Sequence, residues 1–198
     1  MDTKQGFLVL ADISGFTALV TATELEHGPA IIADLLEAVI RRISPPLEIE
    51  GIEGDAVFAL GAHGTVVPPA RLLDVLRAGF DGFREQQQVL IDSDDDSCSC
   101  NACLHVGRLR LKAIGHYGSF LPQTVGGRSQ VAGSDVILVH RLLKNQVPQK
   151  DDHYTLFTRP ALRYMDVDPA RLGLQPHTES YEHFGDVECF FGTSTCGV

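Results

Sequence analysis

The sequence lacks any apolar segment of the roughly 20 residues that a membrane-spanning helix requires. Its first residues, MDTKQGFLVLADISGF, also do not form a signal peptide, because Asp12 interrupts the apolar run early. No GxGxxG or Walker sequence occurs, so the common glycine-rich phosphate loops are absent. We therefore expect a soluble, cytoplasmic protein with no membrane partner.

Positive charge is also scarce. The 198 residues carry 16 Lys and Arg against 26 Asp and Glu, for a net charge of −10. Such a chain does not attract nucleic acid non-specifically, so a phosphate-bearing ligand would have to be bound locally. The five cysteines are an odd number, and three of them crowd into SCSCNAC, which is unlike a secreted disulfide framework.

Hydrophobic residues make up 44% of the chain, enough for a core, and no long linker divides it. We predict one domain over residues 1–198 with a Cys- and Asp-rich insertion at about 91–105. Alternating and helical hydrophobic patterns give the order β-α-α-β-β-α-β-α-β-α-β-β. This order favours an α+β fold with helices on one face of a mainly antiparallel sheet. It would contain a ferredoxin-like βαββαβ core and a C-terminal β-hairpin.

Two further expectations concern the second half of the chain. FLPQTVGGRSQVAG is interpreted as a glycine-rich loop, and the helix that follows it is expected to be capped by Ser134. His116 and His140 are interpreted as structural histidines.

Two aspartates stand at the ends of apolar runs, Asp12 in FLVLADISGFTALV and Asp55 in EIEGIEGDAVFAL. Nearby glycines allow tight turns and a close approach of the backbone to a ligand. Carboxylates suit Mg²⁺, which takes one or two of them together with phosphate oxygens. Two simpler roles stay open: Asp12 could cap a helix, and Asp55 could be a hairpin turn residue.

Four segments resemble motifs of class III nucleotidyl cyclases, the adenylate and guanylate cyclases. FLVLADISGFT is similar to F-x-D-I-x-G-F-T, IEGDAVFAL to I-G-D-x-x-M-A, IGHYG to G-I-H-x-G, and VAGSDVILVHRLLKN to V-x-G-D-x-V-N-x-A-x-R-L. The matches keep the family's order across residues 7–145. The chain resembles a divergent, uncharacterised bacterial branch with a cysteine-rich insertion.

The resemblance implies a two-metal site for Mg²⁺ or Mn²⁺ on a nucleoside triphosphate. Asp12 and Asp55 would be the metal ligands, with the Ile13 carbonyl joining one metal. Arg141 would stabilise the transition state across a head-to-tail homodimer, or could be only a surface ion-pair partner. The triphosphate would lie on backbone N–H groups at a helix N-terminus, those of Ser14, Gly15, Phe16 and Thr17.

The sequence departs from the family's pattern at the remaining catalytic positions. The base-reading lysine corresponds to Gly51 and the ribose-orienting asparagine to Ile137. The purine-reading residue corresponds to Gln130, which is polar but not acidic, and the late phosphate-binding lysine falls near Glu182. Because one lost donor to developing phosphate charge costs about 10²–10³ in rate, little cyclase activity would remain.

The insertion offers a second metal site. Cys98, Cys100 and Cys103 form C-x-C-x2-C, and His105 follows, so three thiolates and an imidazole could bind Zn²⁺ tetrahedrally. Three residues could replace His105 as the fourth ligand, namely His116, Cys189 and Cys196. Redox-sensitive thiols or a local disulfide are alternatives for this loop.

Two functions follow from these observations. The first is a divergent cyclase, a phosphorus–oxygen lyase that converts a nucleoside triphosphate slowly to a cyclic nucleotide. The second is a catalytically degenerate pseudo-cyclase that senses nucleotide, metal or redox state as a dimeric binding module.

Overall fold

A computed structural model describes residues 2–16, 28–62, 68, 71–92, 105–148 and 152–193. Eight strands form one sheet: β1 (Lys4–Ser14), β2 (Glu48–Glu53), β3 (Ala56–Ala62), β4 (Arg110–Val125), β5 (Arg128–Ala132), β6 (Tyr154–Thr158), β7 (Gln175–Tyr181) and β8 (Gly185–Thr193). The helices are α1 (Gly28–Ile43), α2 (Arg71–Asp92), α3 (Ser134–Leu142) and α4 (Arg159–Met165). Among the described residues, no helix is long and apolar enough to cross a bilayer.

The strand order is β2-β3-β1-β4-β6-β8-β7, with β5 paired to β4. The first four strands and the two long helices form the predicted βαββαβ core, in which β1 lies between β3 and β4 and is antiparallel to both. The pairing of β4 with β6 is parallel, and β7 and β8 form the predicted C-terminal hairpin. The predicted α+β fold class is confirmed.

Each face of the sheet has its own hydrophobic core. Residues of α1, α2 and α4 pack with Phe7, Val9, Ala11 and Ile13 of β1 on one face. Residues of α3 pack with Leu8 and Leu10 on the other. The expectation that all helices share one face was therefore wrong. The helical pattern of α3 shows an apolar stripe but not which face of the sheet it covers.

The segment interpreted as a glycine-rich loop is mostly strand. β4 runs to Val125, turns through Gly126 and Gly127, and returns as β5, so that Val125 pairs with Arg128. Both glycines have positive φ, 59° and 78°, as a two-residue hairpin turn that matches strand twist requires. The two glycines are therefore the turn of a hairpin.

The cap of α3 also differs from the prediction. Gly133 is the N-cap, with φ 145°, and no side chain caps the helix; Ser134 is its first residue. Asp135 in the first turn instead accepts a hydrogen bond from the backbone N–H of Ser119 in β4, at 2.6 Å from Oδ2. Gly118 makes this contact possible, because a Cβ there would lie 2.5 Å from the Asp135 carboxyl carbon.

Candidate metal and phosphate site

Asp12 lies at the end of β1, where the strand leaves the core. The five residues before it are almost completely buried, and its own side chain is 13% exposed. It is paired across the sheet with Ala56 of β3 and Lys112 of β4. Three residues later the chain turns at Gly15, which has a φ of 94°, and a Cβ there would lie only 3.3 Å from the Leu109 side chain. Asp12 is therefore held beside a turn that only glycine forms without strain.

Asp55 lies next to Asp12 because the β2–β3 turn ends there. The N–H of Ile13 donates a hydrogen bond to the Asp55 carbonyl oxygen at 3.0 Å, which ties the turn to β1. Burial and the negative charge of Asp12 raise the pKa of the Asp55 carboxyl above its usual value. A backbone hydrogen bond and the charge of Lys112 oppose that shift. The structure thus brings together the two aspartates that the sequence singles out.

Lys112 is the third charged residue of this cluster. Its Nζ lies 2.8 Å from Asp12 Oδ2, and its side chain is only 15% exposed. The ammonium also donates a hydrogen bond to the carbonyl oxygen of Leu143 at 3.1 Å. Leu143 caps the C-terminus of α3, where unpaired carbonyls and the helix dipole favour a cation. Lys112 is therefore held between a carboxylate and a helix end.

Lys112 was not among the residues predicted from the sequence to form the site. It follows Arg108 and Arg110 in an alternating pattern, which is typical of a solvated strand face. β4 is a central strand, however, and Ile114, two residues further on the same face, is completely buried. The continuous apolar run AIG after Lys112 was the available signal, because it indicates a strand covered on both faces.

The donor set of this cluster fits one divalent ion but not two. Mg²⁺ requires a shell of oxygens, and Asp55 with the free oxygen of Asp12 could supply two of them beside ligand phosphates. Within the described part of the chain, no group of three or more His, Cys, Asp or Glu is placed to hold a metal. The other oxygen of Asp12 already contacts the Lys112 ammonium. The two-metal site implied by the resemblance therefore does not fit the charges around Asp12.

Arg141 lies near the end of α3, on the helix whose C-terminus contacts Lys112. Its side chain is exposed, and the guanidinium carbon is 6.0 Å from the ring centre of Phe184 in the β7–β8 turn. The Tyr181 hydroxyl donates to the Arg141 carbonyl oxygen at 3.1 Å. Among the described residues, no ion pair joins Arg141 to Asp12 or Asp55 within one chain.

The positions that depart from the cyclase pattern are all open to solvent or half-exposed. Ile137 is 53% exposed, and a Cβ added to Gly51 would meet no atom within 4 Å. Gln130 is exposed on β5, and the side chain of Glu182 is 84% exposed in the β7–β8 turn. The described core therefore does not enforce the residue present at any of these four sites.

His116 and His140 have internal contacts. His116 is buried, its Nδ1 is 2.7 Å from the Thr158 hydroxyl, and Nε2 lies 3.3 Å from Asp135 Oδ1 without hydrogen-bond alignment. Burial lowers the pKa of His116, although Asp135 partly opposes the shift. His140 bonds the Val136 carbonyl through Nδ1 at 2.8 Å. Both contacts are those of structural histidines.

The predicted zinc ligands Cys98, Cys100 and Cys103 lie outside the described residues, as does Cys196. His105 is partly buried just before β4. Cys189 is completely buried in β8, and this burial raises the pKa of its thiol to about 12. Burial of Cys189 disfavours the thiolate that Zn²⁺ binds, so Cys189 is poorly suited to replace His105 as the fourth ligand.

Two solved structures of cyclase domains have the same fold as this chain. A bacterial light-regulated adenylyl cyclase matches 99% of this chain and 93% of its own, with a TM-score of 0.68 and 13% identity. The guanylate cyclase domain of RhGC from Catenaria anguillulae, solved in complex with GTP, matches 96% and 97%, with a TM-score of 0.64 and 14% identity. The chain therefore has the fold of class III nucleotidyl cyclase domains.

At the level of sequence, residues 32–152 match the model of a protein family of unknown function, DUF2652. An uncharacterised protein of Mycobacterium tuberculosis, Rv2561/Rv2562, is 32% identical over 166 residues, which cover 81% of this chain and 72% of that protein. The chain belongs to the DUF2652 family.

Proposed function

We propose that this protein is a nucleoside-triphosphate-binding module built on the cyclase fold. The observation that carries the proposal is the carboxylate pair Asp12 and Asp55, held at the end of β1 beside the positive-φ turn at Gly15. A pair of carboxylates whose charges disfavour each other gains most from binding a cation. The sequence predicts a helix after this turn, and the N-terminus of a helix offers N–H groups to phosphate oxygens.

In this proposal, Asp12 and Asp55 hold one Mg²⁺ or Mn²⁺, with the Ile13 carbonyl as a further ligand. That ion, when bound, would neutralise charge on the phosphates of the ligand. The N–H groups that bind phosphate oxygens are those of Ser14, Gly15, Phe16 and Thr17. Thr17 lies outside the described residues.

Binding is favoured over catalysis because the donors that would read base and sugar are missing. Gly51 has no side chain, and the Ile137 side chain cannot hydrogen-bond. Without a donor that orients the ribose, the reacting hydroxyl is misplaced, and a displacement of about 1 Å costs about 10²-fold in rate. The Cys-rich loop with Cys98, Cys100, Cys103 and His105 would then be the sensing element, for zinc or for redox state.

A second candidate is slow cyclase activity in a head-to-tail homodimer. One observation favours it: Arg141 is exposed and is free of acidic partners among the described residues. An arginine in that state can contact a phosphate bound by a second copy of the chain, where it would stabilise charge on the transferred phosphorus.

The binding proposal is tested by isothermal titration of ATP and of GTP into the full chain with Mn²⁺. We expect binding of at least one nucleotide and a loss of at least tenfold in affinity for Asp12→Ala. Asp34→Ala, which removes an exposed aspartate of α1, is the matched control and should bind as the wild type does. Failure of both nucleotides to bind would reject the proposal.

The catalytic candidate is tested by restoring the lost donors. Gly51→Lys and Ile137→Asn fill open or exposed positions, so the double variant should fold. We expect it to form cyclic nucleotide at least tenfold faster than either single variant, measured by chromatography of the product. Rapid turnover by the wild type that disappears in Asp12→Ala would instead favour the enzyme.

The zinc candidate has a separate test. Elemental analysis of the purified chain should show bound zinc, and the Cys100→Ser/Cys103→Ser variant should have lost it. If the wild type contains no zinc, the zinc site is rejected and redox-sensitive thiols are the alternative for this loop.

A further inference from the structure

We propose that Lys112 is a built-in cation that takes the place of one of the two divalent ions, so that this site binds a single metal ion. The inference rests on the proposed function for the identity of the ligand. It rests on the described contacts for the number of ions. The two can fail independently, because metal ions can be counted without any nucleotide.

The Lys112 ammonium lies in direct contact with the Asp12 carboxylate. Lys112 Nζ is 2.8 Å from Asp12 Oδ2, the contact distance of a charge-assisted hydrogen bond. Asp12 and Lys112 are directly opposite each other on β1 and β4, where side chains of a cross-strand pair meet. A metal ion bound to the same oxygen would have to expel the ammonium or lie beside it as a like charge.

The Lys112 ammonium has a second partner within the protein. It donates a hydrogen bond to the Leu143 carbonyl at the C-terminus of α3, at 3.1 Å. Two of its three donors are therefore used by the protein, and one is left for a phosphate oxygen. The lysine would thus bind the ligand with the same group that neutralises Asp12.

The ion pair between Asp12 and Lys112 is mostly buried. The side chains of Asp12 and Lys112 are 13% and 15% exposed. Breaking a pair this buried leaves an uncompensated charge, so the lysine is displaced only if another charge replaces it.

The experiment counts Mn²⁺ ions on the full chain by the electron paramagnetic resonance signal of free Mn²⁺, with no nucleotide present. We expect at most one Asp12-dependent ion on the wild type. Lys112→Met, which keeps the length of the side chain and removes its charge, should bind Mn²⁺ at least tenfold more tightly. Lys4→Met makes the same change of charge at the exposed far end of β1 and should match the wild type.

Three results would overturn the inference. The first is that the wild type binds two Mn²⁺ ions and that both disappear in Asp12→Asn. The second is that Lys112→Met binds Mn²⁺ with an affinity within twofold of that of Lys4→Met. The third is that Lys112→Met binds no Asp12-dependent ion. If Lys112→Met does not fold by circular dichroism, Lys112→Gln replaces it, and the count on the wild type remains a test by itself. A correct ion count without nucleotide binding would reject only the proposed function.

Discussion

The ion pair between Asp12 and Lys112 makes a measurable contribution to folding even without a ligand. A double-mutant cycle isolates it: Asp12→Asn and Lys112→Met each remove one charge with little change of shape, and the double variant removes both. Each single variant leaves a mostly buried charge without its partner. Asp12→Asn isolates the Lys112 ammonium, and Lys112→Met leaves Asp12 facing only Asp55.

The size of the coupling follows from distance and burial. At the 2.8 Å separation of Nζ and Oδ2, Coulomb attraction in an effective dielectric of about 20 is about 6 kcal/mol. Desolvation of the two side chains cancels much of this attraction. We therefore expect a coupling free energy of about 2–3 kcal/mol, within the range of about 1.5–3 kcal/mol measured for hydrogen bonds to charged groups. The double variant should be more stable than the sum of the single variants implies.

The assay is urea unfolding of the four proteins in EDTA, followed by far-ultraviolet circular dichroism because the chain has no tryptophan. The same cycle at Arg159 and Glu188, whose side chains are 36% and 52% exposed, is the control for a surface pair. There we expect a much smaller coupling, which 1 M salt should reduce further, because exposed charges are well solvated and screened. A coupling below about 0.5 kcal/mol at Asp12 and Lys112 would refute the buried pair and the single-metal inference with it.

Two further predictions concern groups around the site. The pKa of His153 is lowered to about 4, chiefly by burial, so the folded state binds its proton more weakly than the unfolded state does. Its stabilising effect is then complete above the unfolded pKa of about 6.5 and is lost as pH falls towards 4. At pH 5 the loss would be about 2 kcal/mol from the shift alone, and about 1 kcal/mol after solvent screening. Urea unfolding at pH 7.5 and 5.0 should show this loss of stability in the wild type and not in His153→Gln. The glutamine keeps an acceptor for the Leu111 N–H. An equal loss in both proteins would show that His153 is not its source. Gly118→Ala should destabilise the protein by about 2 kcal/mol, because the new Cβ would displace the Asp135 carboxylate from the Ser119 N–H. Gly51→Ala is the control: a Cβ there meets open space and should change the stability little. Equal stability of the two alanine variants would show that Asp135 moves without cost.

Local patterns in the sequence were enough to predict the elements that frame the site. The apolar run before Asp12 forms β1, and the helices and strands from α1 to β4 follow in the predicted order. Each depends on residues that are close in the chain, where propensity and hydrophobic period act directly. The departures at Gly51 and Ile137 were also identified from sequence, because they rest on residue identity alone.

Other features depended on which elements pack together. The Gly126–Gly127 segment is a hairpin turn because β5 finds β4 as its partner, and the face that α3 covers is decided by its contacts with β4 and β1. Neither choice is contained in a local pattern, since an apolar stripe shows that something is buried and not what buries it.

The sequence by itself determined that two carboxylates stand at the ends of buried strands, and that Gly51 and Ile137 stand where the cyclase pattern has a lysine and an asparagine. Only the tertiary structure decided that Lys112 neutralises Asp12, because antiparallel pairing of β1 with β4 joins residues that are far apart in the chain. The end of α3 then supplies the carbonyl that holds the ammonium in place. Burial turns these contacts into a charge-neutralised site, since the same residues in water would attract each other only weakly.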